Sequence, residues 1–179
     1  MKGPTEQARR KERRATRKSE FFSNLDALKA IFEEATRPLT LKEIVAIFSQ
    51  RYIDDLPEET IEELYVLPAL RGHKDLFYET AEGWNMNYEK LPEHKAAAEI
   101  LSQKRQPMSL KQLRAEVAKQ LKLPLRRIYL MPERAPDLFK PWKPPTSNEH
   151  LWMLTSWEIA NDLVYEILLG AGREMTRKE

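Results

Sequence analysis

"RPLTLKEI" (residues 37–44) and "QPMSLKQL" (residues 106–113) are two spellings of one eight-residue pattern, set 69 positions apart in a chain of 179 residues. In both, a proline precedes a hydroxyl residue, and a Glu or Gln follows that hydroxyl three positions later. This is the signature of a capping box. The hydroxyl accepts a bond from an orphan N–H of the first helical turn, and the Glu or Gln reaches back to the N–H of the cap itself. The proline keeps the residue before it out of the helical region, so each octapeptide separates one helix from the next.

The match extends outward in order. Ile31 and Phe32 fall on Ile100 and Leu101, Leu41 on Leu110, Ile44 on Leu113 and Phe48 on Val117. "DLF" recurs at 75–77 and 137–139, and Trp84 matches Trp152. Length changes confined to loop-like segments mark an internal repeat. Helical spacing of Leu25, Leu28, Ile31 and Phe32 gives a first helix, and the capping box opens a second. A third is predicted to start at Pro57 in one copy and at Pro124 in the other, since proline is favoured at the first helical position. "YETAEGWNMN" then reads as a hairpin with Gly83 in its turn, and "KPWKPPTSNEHLWML" as a longer hairpin whose prolines exclude regular pairing at the tip.

Three helices followed by a hairpin make a winged helix, with the second and third helices as a helix-turn-helix pair. The expected fold class is mainly α (α+β), as tandem winged-helix domains. The expected organisation is a basic N-terminal arm (1–22), an acidic first winged-helix domain (23–90), a basic second one (91–155), and a C-terminal helix and tail (156–179). "ILSQKRQPMSLKQLRAEVAKQLKL" followed by "HLWMLTSWE" resembles the HARE-HTH winged-helix family, the group of the N-terminal domain of the bacterial RNA polymerase delta subunit. Pro107, the Ser109–Leu113 helix start, Val117, Leu121, Trp152 and the Ser156-Trp157 pair carry the likeness; the first copy is a weaker match. The resemblance implies a winged helix in a transcriptional setting. Delta subunits join this domain to a long acidic tail, whereas the present chain ends in a short mixed one, so displacement of nucleic acid by a polyanion is not expected.

Charge is unevenly spread: +5 over residues 1–20, −7 over 21–91, +6 over 92–155 and −2 over 156–179. The chain has no cysteine, and His73, His94 and His150 stand far apart, so neither a disulfide framework nor a metal site is expected. Five glycines form no phosphate-cradling loop, and the acids of "DDLPEETIEE" read as a solvated helix face. No cofactor and no catalytic group is expected. No apolar run follows the basic start or approaches a membrane span, which predicts a cytoplasmic or nucleoid-associated protein.

Binding residues are better marked. Glu58 and Glu59 open the first copy's third helix, where they complement its dipole and repel phosphates. Arg126 and Arg127 hold the same turn of the second copy and oppose the dipole, which is the arrangement for contact with DNA; the alternative is two solvated arginines whose cost is screened by salt. Lys119 and Lys122 precede them, and the long wing carries Lys140, Trp142 and Lys143. Trp142 either wedges into a groove or packs against the wing prolines, while Trp84 and Trp152 read as core. Arg9, Arg10, Lys11, Arg13, Arg14, Arg17 and Lys18 form a nucleic-acid arm or, alternatively, a solvated extension of the first helix. Trp157, Ala160, Val164 and Ile167 line one face of a terminal helix that packs across the domains or joins a homodimer.

These features define three expectations. The first is a non-enzymatic binder of double-stranded DNA, with RNA as an open competitor, in which Arg126 and Arg127 enter the major groove. The second is an adaptor docking on RNA polymerase or another protein through the acidic domain. The third is an accessory region of a larger DNA-processing enzyme.

Overall fold

The computed structural model describes residues 23–144 and 149–157. The residue-1–22 arm, with Arg9, Arg10, Lys11, Arg13, Arg14, Arg17 and Lys18, lies outside the described residues, as do the terminal helix from residue 158 and its dimer face. The chain divides into two compact units at Asn87 and Tyr88, three residues before the boundary read from the sequence.

In the first unit, α1 (Asn24–Glu34) is capped by Ser23, whose Oγ accepts from the Asp26 N–H at 3.1 Å. α2 (Leu41–Arg51) carries the full capping box: Thr40 Oγ1 accepts from the Glu43 N–H at 3.3 Å, and Glu43 Oε2 accepts from the Thr40 N–H at 2.8 Å. α3 (Glu58–Ile61) runs through a π-helical turn (Glu62–Val66) into α4 (Leu67–Gly72). Pro68 accounts for that turn. It has no N–H and its ring crowds the carbonyl of the preceding turn, so the helix widens and the Leu67 N–H reaches back to the Glu62 carbonyl. Strands β1 (Phe77–Thr80) and β2 (Gly83–Met86) close an antiparallel hairpin. Leu28, Ile31, Phe32, Ile44, Phe48, Ile61, Leu70 and Phe77 are buried to 2% exposure or less and form its core.

The second unit opens with a 3₁₀ turn (Tyr88–Lys90), then α5 (Pro92–Lys104), β3 (Met108–Ser109) and α6 (Leu110–Leu121). The box is repeated here: Ser109 Oγ accepts from the Gln112 N–H at 3.3 Å, and Gln112 Oε1 accepts from the Ser109 N–H at 3.1 Å. Strands β4 (Phe139–Trp142) and β5 (Leu151–Leu154) complete a three-stranded antiparallel sheet ordered β3-β5-β4. Pro141 sits on the edge strand, where a missing N–H costs no ladder bond.

The expected third helix of this unit is absent. Pro124 leads only into a 3₁₀ turn (Leu125–Arg127), and a second 3₁₀ turn (Pro132–Arg134) follows. Only seven residues separate Pro124 from Pro132. The second proline bars helix at Met131, which is extended with φ −129°. Two arginines against the dipole and the β-branched Ile128 leave too little to offset helix nucleation.

Both units thus show α+β architecture with a small antiparallel sheet, compatible with a winged-helix-like fold. The hairpins share a register. Phe77 pairs with Met86 and Glu79 with Trp84, while Phe139 pairs with Leu154 and Pro141 with Trp152. In each, the residue just before the helix cap joins the tryptophan: Leu39 bridges Trp84, and Met108 pairs with Trp152. Both tryptophans are half-buried, and Trp152 packs against the second core.

Gly83 permits this bridge. Its φ is +132°, and a Cβ there would lie 2.5 Å from the Leu39 carbonyl oxygen. Gly83→Ala is expected to destabilise the first unit by about 2 kcal/mol or more through strain and collision, measured by urea unfolding. A variant within 0.5 kcal/mol of the parent, a threshold of roughly the noise for surface changes, would show that the bridge is dispensable.

Candidate nucleic-acid interface

α6 ends in a Schellman motif. The Leu123 N–H reaches the Ala118 carbonyl at 3.0 Å, and Lys122 takes the left-handed conformation at φ 54°. Leu123 packs against the core and pins the chain as it leaves the helix. α5 ends similarly, with Arg105 at φ 52°. Glycine or asparagine normally fills such positions; a lysine or arginine there carries about 1 kcal/mol of strain. Both strained residues are exposed cations.

The 3₁₀ turn that follows is closed by the Arg127 N–H on the Pro124 carbonyl at 2.9 Å and the Ile128 N–H on the Leu125 carbonyl at 3.2 Å. Arg126 is exposed and Arg127 half-buried. With no helix to carry them, these arginines cannot enter a major groove as a recognition helix does, which corrects the sequence reading. In place of helical hydrogen bonds, two side chains hold the segment. Arg114 Nη2 donates to the Ile128 carbonyl at 2.8 Å, and the Met131 N–H donates to His94 Nε2 at 3.0 Å.

His94 is fully buried on α5 and meets Phe139 edge-on, with ring centroids 5.7 Å apart. Because Nε2 accepts, the proton of the neutral ring belongs on Nδ1. Burial pushes its pKa down to about 4, with the Tyr88 backbone acting in the opposite direction. Its role as an anchor was missed in the sequence, where only metal-ligand spacing was sought. "PLRRIYLMP", with its two closely spaced prolines, is the signal that foretells the broken helix.

The remaining predicted cations are dispersed. Lys119 pairs with Glu116 at 2.9 Å, and Lys104 reaches the other oxygen of that carboxylate at 3.2 Å. Hydrogen bonds from Lys119 and Lys104 hold the Glu116 carboxyl below its ordinary pKa. Lys140 Nζ donates to the Trp157 carbonyl at 2.7 Å, so its ammonium braces the base of the wing. Trp142 is 9% exposed, which corrects the reading of it as a groove wedge. Lys143 is exposed at the start of the wing loop. The structure therefore brings Lys122, Arg126 and Arg127 onto one short segment and assigns Lys119 and Lys140 to internal contacts.

The corresponding part of the first unit is acidic: Glu58, Glu59 and Glu63 are exposed on α3 and the π turn, and Leu64 stands 63% exposed beside them. No group of three or more metal-ligating side chains occurs among the described residues, and no described helix is long and apolar enough to cross a membrane. No protein-family model, curated protein or solved structure matches the chain.

Two outcomes follow from this geometry. In the unfolded chain His94 has its ordinary pKa of 6.5, so the unfolded state takes up the proton first as pH falls. The stability that neutral His94 contributes is complete above about pH 6.5 and is lost towards pH 4, a loss of about 3 kcal/mol. Urea unfolding of the second unit across that window should show the fall, and His94→Gln should flatten it; an unchanged slope in the variant would remove His94 as the anchor. Lys122→Gly should raise stability by about 1 kcal/mol in the same assay, since glycine relieves the left-handed strain.

Proposed function

We propose that the chain is a tandem winged-helix protein of HARE-HTH type, without catalytic activity, that holds double-stranded DNA through its second unit and its N-terminal arm. The matched hairpin register and the repeated link from helix cap to tryptophan support the tandem reading. The observation that carries the nucleic-acid reading is a placement that stability alone disfavours. Lys122 occupies a strained left-handed cap, and Arg126 and Arg127 follow in a turn whose dipole they oppose. Cations kept at a cost to folding are accounted for by phosphates they neutralise.

Contact is with the backbone more than with base edges. A three-residue turn presents too few side chains to read a major groove, whereas phosphate contacts need only exposed cations near one another. Attraction of this kind releases counterions, so affinity falls steeply with salt. The arm, with its seven cations between Arg9 and Lys18, adds to the same attraction. Competition by RNA follows from the same chemistry. Transcription in the bacterial cytoplasm or nucleoid is the setting implied by the family resemblance.

A second reading rests on the first unit. Its exposed Glu58, Glu59 and Glu63 around Leu64 repel DNA and offer acids beside an apolar side chain, a surface suited to a basic partner protein such as a subunit of a transcribing polymerase.

Fluorescence anisotropy on a mixed-sequence duplex over a salt series tests the main reading. The intact chain should bind at low salt with a steep slope. Arg126→Glu with Arg127→Glu should weaken binding by about tenfold or more, and removal of residues 1–20 should make the slope shallower. Lys122→Gly should bind more weakly while folding more stably. Absence of binding at low salt, or binding indifferent to both the arginines and Lys122, would leave the adaptor reading in its place.

A further inference from the structure

Among the described residues the large apolar side chains that stand exposed are Leu64, Tyr78 and Leu125. Leu125 alone of these belongs to the basic unit, where it is 54% exposed at the tip of the turn that carries the arginines. A lone surface leucine is common and by itself means little. This one differs in how it is mounted and in what surrounds it.

The mount is rigid on both sides. Upstream, the Schellman motif fixes Lys122, buried contacts hold Leu123, and Pro124 locks its own φ at −64°. Downstream, Ile128 is 1% exposed, its carbonyl is gripped by Arg114, and the Met131 N–H is gripped by His94. The turn is closed by its own backbone bond from the Ile128 N–H to the Leu125 carbonyl. The side chain of Leu125 therefore projects from a braced tip without the entropic cost of ordering a loop. Exposed cations precede and follow it in the chain, Lys122 and Arg126.

An apolar tip between cations, on a support that does not give way, is the equipment with which proteins enter a minor groove. The apolar side chain slips between base pairs and partly unstacks them, while flanking cations hold the phosphates on either side. Unstacking costs a few kcal/mol, so a wedge on a mobile loop would lose its advantage.

We propose that Leu125 is a DNA wedge: the Pro124-Leu125 tip inserts at a base step from the minor groove and kinks the duplex that Lys122 and Arg126 hold. The inference rests on the DNA-binding reading above and adds a mode of engagement to it. It also assigns a preference. Duplexes that are already easy to unstack, such as those with a mismatch or a flexible pyrimidine–purine step, bind more tightly than stiff ones.

The experiment compares the full-length protein with Leu125→Ala and Leu125→Met on two end-labelled duplexes, one fully paired and one with a central mismatch, by anisotropy and by energy transfer between the ends. Circular dichroism checks that the variants fold, which the exposure of Leu125 favours. The parent should bind the mismatched duplex about tenfold more tightly and shorten the end-to-end distance. Leu125→Ala should lose the bend and most of the mismatch preference, with the salt slope unchanged because no charge is altered; Leu125→Met should retain both. Equal affinity of the parent for the two duplexes, or an alanine variant that bends DNA like the parent, overturns the wedge and leaves DNA binding intact. Failure of the parent to bind either duplex overturns the binding reading and the wedge with it.

Discussion

A short backbone bridge between a helix start and a hairpin tryptophan organises each unit. In the first, the Leu39 N–H and carbonyl bond to the Trp84 carbonyl and N–H at 2.9 and 2.7 Å. In the second, the same link widens into a two-residue strand, Met108–Ser109, laid along Trp152 and Leu151. The bridge can form because the residue before a capping box is already extended: the cap's non-helical backbone and the preceding proline leave it no other conformation. One local sequence device therefore does two jobs. It starts a helix, and it supplies the strand that fastens that helix to the hairpin, across which the apolar residues of the remaining helices pack. Gly83 shows how tight the fit is, since a single methyl would collide with the bridging carbonyl.

That dependence explains why so much of the fold was legible. The capping boxes, the first two helices of each copy and both hairpins are encoded by neighbours three or four residues apart, or by alternation along a strand. The aligned apolar positions, Ile31 and Ile100, Phe32 and Leu101, Ile44 and Leu113, Phe48 and Val117, are all buried. The failures share a cause. The third helix of the second copy was inferred from analogy with Pro57, although Pro132 lies too near Pro124 to leave room for one. The bonds that replace it join His94 to Met131 and Arg114 to Ile128, across 37 and 14 residues. No local pattern announces a side chain that satisfies a distant backbone group.

The same distinction applies to the candidate site. Sequence could mark Lys119, Lys122, Arg126, Arg127, Lys140 and Lys143 as cations near one another, but a cation's availability is a tertiary property. Glu116 draws in Lys119, and the Trp157 carbonyl draws in Lys140. Trp142 is buried for a related reason: in β4 it pairs with Leu151 at the inner end of the wing, beyond which its ring has no reason to project into water. What distinguishes Lys122 is its backbone. A left-handed lysine is visible only once the Schellman motif is seen, and that motif is set by Leu123 finding the core.

The two units therefore differ by more than the sign of their charge. In the first, glutamates at the start of α3 favour the helix they sit on, and Arg37 draws the Glu43 carboxyl down to a pKa of about 2 while Thr40 adds to the effect, so acids and caps cooperate. In the second, Gln112 occupies the position of Glu43, and the segment matching α3 has lost its helix to prolines and opposing arginines. Its stability passes to a buried imidazole and a guanidinium bound to carbonyl, groups that leave the turn's outer surface uncommitted. A helix would have had to align its side chains with its own hydrogen-bond ladder. A turn braced from behind is under no such constraint, so Pro124, Leu125 and Arg126 can be chosen for what they meet outside the protein.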